Sequence, residues 1–588
     1  MQTKPYGTWD SPITPEQMAR GGARLAFPDV LEGGEHSWIE GRPSEGGRYV
    51  PVRTGQRDVP APFSARTRVY EYGGRAHLVI GDVTYFVDGP SGKLVKWSRN
   101  EATTIGEASG YRLADLTHDV ARDRLIAVGE QAREGKEPEN GLVSVSLVDG
   151  VVRWIAQGHD FYASPAISPD GKQLAYLAWD HPYMAWDAAT LYLADIAEDG
   201  SLSNPRAICG GPEGSAFQPT WSPSGDLFCG LEVGERWSLH RIQKGRAELV
   251  ADAGVEIGAP LWNLGTRLFG FIDAHTVIGT GLWDGSSRVV RIDVGSGAVE
   301  TLTTELRHIG ELACRGDKAL FLCGWAGGGT RLVEMDLGTR SLRVVRNALE
   351  GAIDPADIST PEAISYPTSG GATAHANFYP PKSSRFTGPA NARPPVVVVV
   401  HGGPTGCANN DLVLSIQFFT TRGFAVLDVN YRGSTGFGRS YREALRGRWG
   451  ELDVDDCVAG VRFLAEHDRI DPTRAIIRGG SAGGYTVLQA LTDHDVFRAA
   501  ACHYGVSDPA SLSHDTHKFE KHYDAFLFGS GEARKRAFET RTPIRKVDRI
   551  RAPVIFFQGL EDPAVVPAQT EGIYLEVRAR GIDTEYHG

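Results

Sequence analysis

The sequence predicts an all-β propeller followed by an α/β domain on a mostly parallel sheet. In the first half, a phrase of one turn and alternating apolar residues recurs six times, at intervals of 40 to 54 residues. In the second half, apolar runs of four to six residues alternate with helical patterns, the texture of a sheet covered by helices on both faces. At 588 residues the chain also exceeds what one hydrophobic core normally supports.

The six copies fall at residues 81–87, 122–128, 171–177, 225–231, 265–271 and 316–322. Two carry a fuller signature, Ser168-Pro-Asp-Gly171 and Ser222-Pro-Ser-Gly225. A period of this length with several short strands per unit marks a propeller blade. The stretch before Gly81 leaves room for another blade, giving six or seven over residues 36–350. An irregular β-sandwich is the alternative for repeats this divergent. Residues 1–35 read as a segment packed on the other domain. They open with a short helix over 13–18, with Thr14 as cap, Pro15 first and Gln17 third.

The repeat stops at residues 352–361, and residues 351–588 form the second domain. Strands are predicted over 362–366, 373–379, 396–400, 424–429, 475–477, 554–557 and 584–587. Helices are predicted over 453–467, with Asp453 as its cap, over 485–493 and over 568–579.

Three strand ends carry chemistry. The strand at 475–477 runs into Gly479-Gly-Ser-Ala-Gly-Gly484 and then a helix. A strand, a glycine-rich turn bearing one serine and a helix form a nucleophile elbow, although the pattern alone reads equally as a plain turn. Ser481 would be the nucleophile, and the Ala482 amide, at the helix start, would face a developing oxyanion. After the five valines at 396–400, His401-Gly402-Gly403 is a turn that exposes further amides. After the strand at 554–557, Glu561 and Asp562 lie where a triad carboxylate belongs in the order Ser, Asp, His. Spacing does not separate the two.

Further phrases are Glu71-Tyr-Gly-Gly74, Trp179-Asp-His-Pro182, His401-Gly-Gly-Pro404, Asn430-Tyr-Arg-Gly-Ser-Thr-Gly436, Trp449-Gly450, Thr516-His-Lys-Phe-Glu520 and Gln558-Gly-Leu-Glu-Asp562. With the elbow and the propeller they span nearly the whole chain. The chain thus resembles the prolyl oligopeptidase family of serine peptidases, in its branch of bacterial dipeptidyl aminopeptidases and acylaminoacyl peptidases. The resemblance implies an α/β-hydrolase catalytic domain, hydrolysis of short peptides through an acyl-enzyme on Ser481, Asp562 as triad acid, and His401, Gly402, Gly403 and Ala482 around the oxyanion. It places Tyr485, His517, Phe519, Glu520, Tyr523, Val565 and Val566 around the substrate pocket. Partners would be short peptides or acylated or amide-bearing small molecules, with a homo-oligomer allowed. No cofactor and no metal are implied. An amide or ester hydrolase acting on a small molecule is the alternative.

The family's third triad member is a histidine on the loop after the last strand, in a Gly-His-Gly context. Here Gly588 follows His587 directly. The expectation is therefore a catalytic domain without its final loop and helix. Either the sequence is an incomplete record of an ordinary enzyme, or it is an impaired hydrolase that serves as a binding protein.

Composition narrows the partners. A formal charge of −12 supplies no basic excess to displace phosphate counterions, which argues against nucleic acid and acidic membranes. The first ten residues lack the apolar run of a signal peptide, and no apolar stretch is long enough to span a bilayer. Seven cysteines without a C-x-x-C read as free thiols, so the expected location is the cytoplasm.

Overall fold

A computed structural model describes residues 1–106, 110–303, 306–325, 328–349, 351 and 353–588. Glu350 and Ala352, at the expected join, lie outside the described residues. The chain separates into two units. One contains Gly22–Trp325 and Gly329–Glu350, the other Met1–Gly21 and Gly351–Gly588.

The first unit holds, among the described residues, seven antiparallel sheets, one three-stranded and six four-stranded, and is a seven-bladed propeller. The second strands of the six four-stranded blades start at Val83, Arg124, Gln173, Leu227, Thr276 and Lys318. Five of the six sequence copies fall on these strands. The copy at residues 265–271 instead leads into the first strand of its blade, Phe269–Phe271. A Gly-rich turn before an apolar run marks any blade strand, so the phrase alone does not say which strand of the blade it opens.

The middle strands read as unbroken apolar runs because blades cover both of their faces. Leu125, Ile126, Ala127 and Val128 are all fully buried, and Leu125 and Ala127 pack with Val87 and Leu94 of the preceding blade. The three-stranded blade, Arg24–Val30, His36–Arg42 and Arg48–Arg53, is the seventh. It closes on the last blade through Leu25, Val30 and Trp38 against Ala313, Leu320 and Leu332. At that seam buried Glu40 accepts two bonds from Arg346, each 2.9 Å. Because Arg24 already belongs to this blade, the N-terminal segment ends at Gly21 and not at residue 35.

In the second unit we label the strands β1 Glu362–Pro367, β2 Thr373–Tyr379, β3 Val396–Val400, β4 Ala425–Asn430, β5 Ala475–Gly480, β6 Ala499–His503, β7 Val554–Phe557 and β8 Thr584–His587. Their spatial order is β1-β2-β4-β3-β5-β6-β7-β8, antiparallel at the first two pairings and parallel at the rest. Strand β6 escapes sequence reading, because its Ala-Ala-Ala core carries no β signal of its own. Helix α1 (Leu452–Glu466) begins one residue before Asp453. Asp453 lies within its first turn, accepting from the Gly450 amide and the Thr486 hydroxyl at 2.6 Å each. Helix α2 runs Ala482–Asp493 and α3 Pro567–Ala579.

The N-terminal segment belongs to this unit. Its helix Pro15–Arg20 has a complete capping box, Gln17 amide to Thr14 hydroxyl at 3.2 Å and Thr14 amide to Gln17 side chain at 2.9 Å. Residues Gln2 and Thr3 pair in parallel with Phe386 and Thr387. No helix among the described residues is long and apolar enough to cross a membrane.

Candidate active site

Ser481 sits between β5 and α2 with φ +53° and ψ −123°, a conformation that L residues adopt only under compulsion. The compulsion is close approach of backbone. A Cβ on Gly483 would lie 2.3 Å from the Val400 carbonyl oxygen, and one on Gly479 would lie 2.5 Å from the Gly483 carbonyl oxygen. The Ser481 amide donates to the His503 carbonyl at 3.0 Å, which pins the turn to β6. Its hydroxyl is partly exposed and makes no hydrogen bond among the described residues. The expected helix start at residue 485 moves forward to Ala482, directly after the serine. That places the Ala482 amide at the positive end of the helix beside the serine oxygen.

The turn after β3 lies against the elbow. A Cβ on Gly402 would be 3.6 Å from the Ser481 Cβ and 3.3 Å from the Gly480 carbonyl oxygen. The His401 ring stacks on Tyr431, with centroids 4.3 Å apart and planes at 15°. Its Nδ1 is 2.8 Å from the Gly402 carbonyl and its Nε2 is 2.8 Å from the Ser434 hydroxyl. A carbonyl can only accept, so the proton sits on Nδ1. Burial pushes the ring down to about 4, so it is neutral near pH 7. His401 therefore holds the shape of the Gly402-Gly403 turn with both ring nitrogens engaged. Tyr431 and Ser434 complete this brace, a role that their family phrase alone does not reveal.

Strand β7 ends two strands away from β5, and its loop separates the two rival carboxylates. Glu561 is exposed and makes no hydrogen bond or ion pair among the described residues. Asp562 is half-buried, and one carboxylate oxygen, Oδ1, accepts the amides of Ala564 at 2.9 Å and Val565 at 3.0 Å. The other, Oδ2, has no partner among the described residues. Gln558, itself buried, braces the loop by donating to the Gly559 and Val565 carbonyls, each at 3.0 Å.

The histidines are placed as follows. His503 stacks on Phe557 (4.7 Å, 13°), and Phe557 on His587 (5.4 Å, 19°), a ladder across the ends of β6, β7 and β8. Burial, and secondarily the charge of Arg478, push His503 down to about 4. His587 is exposed and 3.3 Å from Glu585. No histidine is bonded to Ser481 or Asp562 among the described residues.

The expected pocket residues divide. Tyr485 is fully buried, donates to the Arg541 carbonyl at 2.8 Å and packs on Trp449 at 4.1 Å. It is core below the elbow and not a pocket wall; its place at the start of a helix reads as surface only when α2 is begun too late. Phe519, Tyr523 and Val565 are buried, Val566 is half-buried, and His517 lies 3.4 Å from Glu520. The Tyr523 hydroxyl is paired with Thr405. Missed by sequence reading is Tyr504, the residue after β6. It is 41% exposed, at φ +38°, with its ring 3.0 Å from where a Gly480 Cβ would be. Among the described residues no group of three or more His, Cys, Asp or Glu could hold a metal ion.

A serine on a strained strand-to-helix turn, facing a glycine turn across the ends of a mostly parallel eight-stranded sheet, defines an α/β-hydrolase domain, here accompanied by a seven-bladed propeller. Comparison with known proteins makes this specific. Residues 410–587 match the prolyl oligopeptidase family model. A puromycin-hydrolyzing peptidase from Mycobacterium tuberculosis superposes with a TM-score of 0.94 at 33% identity, over 100% of this chain and 93% of that one. The chain belongs to the prolyl oligopeptidase family. Dipeptidyl aminopeptidase BIII of Pseudoxanthomonas mexicana is 32% identical over 208 residues, 34% of this chain and 30% of that protein's length. An uncharacterized peptidase of Bacillus subtilis, YuxL, is 24% identical over 87% of this chain and 80% of its own.

Proposed function

We propose that this protein is a serine hydrolase of short peptides or peptide-like amides, with Ser481 as nucleophile and Asp562 as the acid that orients its base. The observation that carries the reading is the elbow itself: a non-glycine residue forced to positive φ at a strand end, its hydroxyl unbonded and the start of a helix beside it. Ser481 would attack a scissile carbonyl, the amine would leave, and water would release the acyl group. Ala482 and the Gly402-Gly403 turn would supply the oxyanion donors, with His401 shaping that turn.

The reading requires a histidine base. The open Oδ2 of Asp562 is the acceptor that an imidazole Nδ1–H needs, while Oδ1 is committed to the loop. Dipeptidyl, acylaminoacyl and amide-hydrolase activities all fit this machinery, and cytoplasmic location is part of the same reading.

The test is fluorophosphonate labelling of the full gene product, followed by turnover of a panel containing a dipeptidyl amide, an acetylated amino-acid amide and puromycin. Stoichiometric labelling that disappears in Ser481→Ala, with turnover of at least one member, is the expected result. Absence of labelling in the full gene product would sink the proposal and favour a binding role.

A further inference from the structure

We infer that the propeller carries a second binding site, for a small molecule bearing a carboxylate or phosphate group, in a cavity walled by Arg48, Arg66, Arg68 and Arg112.

The cavity has a volume of about 630 Å³ and opens to solvent between the three-stranded blade and the blade that follows it in the chain, with Tyr111 and Arg112 beyond. Its wall is the segment 65–69, in which Ala65, Thr67 and Val69 are buried while Arg66 and Arg68 are exposed. With its alternate neighbours buried, this segment leaves both arginine side chains on the solvent side, where they line the cavity. The facing turn is strapped to this segment. The Gly89 amide donates to the Ser64 carbonyl at 2.8 Å, and the Ser64 amide to Asp88 at 2.9 Å. The wall is therefore fixed in place without a ligand.

The charge count is what points to an anion. Four arginines and two acids, Glu45 and Asp88, line the cavity, in a chain whose formal charge is −12. Both acids are already committed. Asp88 accepts from the Ser64 and Ser91 amides and from the Ser91 hydroxyl, and Glu45 pairs with Arg48 and Arg42. Arg48 is engaged by Glu45, and Arg112 by Glu71 and Glu130. Arg66 and Arg68 have no acidic partner and donate no side-chain hydrogen bond among the described residues. Arg66 lies over the Tyr49 ring, 5.4 Å from its centroid. Two guanidinium groups without an acidic partner among the described residues suit the bidentate geometry of a carboxylate or phosphate.

Isothermal titration of the full chain at low salt tests this, using inorganic pyrophosphate and, separately, the dipeptide Glu-Glu. At least one probe is expected to bind at one site, with affinity that weakens as salt rises. In the double variant Arg66→Gln/Arg68→Gln, affinity should fall at least about tenfold, since two charge-assisted bonds are lost. Both positions are exposed, and an unchanged melting temperature will confirm that the variant folds. Arg315→Gln, on another blade, should bind as the parent does. Pyrophosphate binding alone would assign a phosphate ligand, and dipeptide binding alone a carboxylate ligand. Failure of both probes to bind, an unchanged affinity in the double variant, or an equal loss in Arg315→Gln would each overturn the inference.

Discussion

The loops bearing Ser481 and Asp562 leave the same end of one sheet, two strands apart, yet they are held by different means. Ser481 is fixed by packing. Glycines on either side have no room for a Cβ, and the serine amide is tied to the neighbouring strand. Asp562 is fixed by its own turn. Two amides of the same loop hold one carboxylate oxygen, and Gln558 spans the loop from below. A serine held by the core is positioned at the cost of local strain. A carboxylate held by a partly exposed loop keeps one oxygen available to a partner.

The largest effect is expected at Ser481. In the full gene product, Ser481→Ala should abolish fluorophosphonate labelling and lower kcat/KM by about 10⁴-fold or more, measured on whichever substrate the panel identifies. Retained turnover would mean that the elbow is a scaffold. Next comes the carboxylate pair. Asp562→Asn should lower kcat by about 10³–10⁴-fold with KM little changed, whereas Glu561→Gln should stay within about twofold. Equal losses in the two variants would remove the distinction drawn between them.

Gly483→Ala tests the packed side of the comparison. The new methyl would meet the Val400 carbonyl at 2.3 Å, so a destabilisation of about 2–4 kcal/mol is expected by chemical denaturation, together with weaker labelling. The Asp562 loop should tolerate Ala564→Gly with less than about 1 kcal/mol, because both of its amides remain.

The last prediction concerns pH. Burial pushes His401 down to about 4 in the hydrolase unit, and burial with the charge of Arg75 pushes His77 down to about 3 in the propeller. Both values lie below that of an unfolded histidine, so the unfolded chain takes up these protons first. Stability is therefore lost as pH falls from about 6.5 toward 4, on the order of 1–3 kcal/mol per histidine. His77→Phe should flatten the propeller's share of this decline, read as the difference in melting temperature between pH 7.5 and pH 5. An unchanged difference would show that His77 does not remain neutral in the folded protein.

Much of the architecture was legible in the sequence. The propeller follows from a recurring turn-and-strand phrase. The hydrolase sheet follows from apolar runs such as the five valines, buried because helices cover both faces. Strand β6 stayed hidden because three alanines carry no periodic signal, and its place in the sheet comes from partners on both sides. The copy at residues 265–271 falls on the first strand of its blade, since one phrase fits two strands of a blade.

What the sequence determined by itself is the inventory: a serine between glycines at a strand end, a glycine turn at a second, two adjacent carboxylates at a third, and a repeating β domain ahead of them. Only the tertiary structure decided how each of these groups is held. It forced Ser481 into a positive φ because backbone from three strands meets at its turn. It engaged both ring nitrogens of His401, sank Tyr485 into the core, and gave Asp562, but not Glu561, two amide donors. These are consequences of close packing and hydrogen-bond satisfaction between segments far apart in the chain, which a local pattern of residues does not encode.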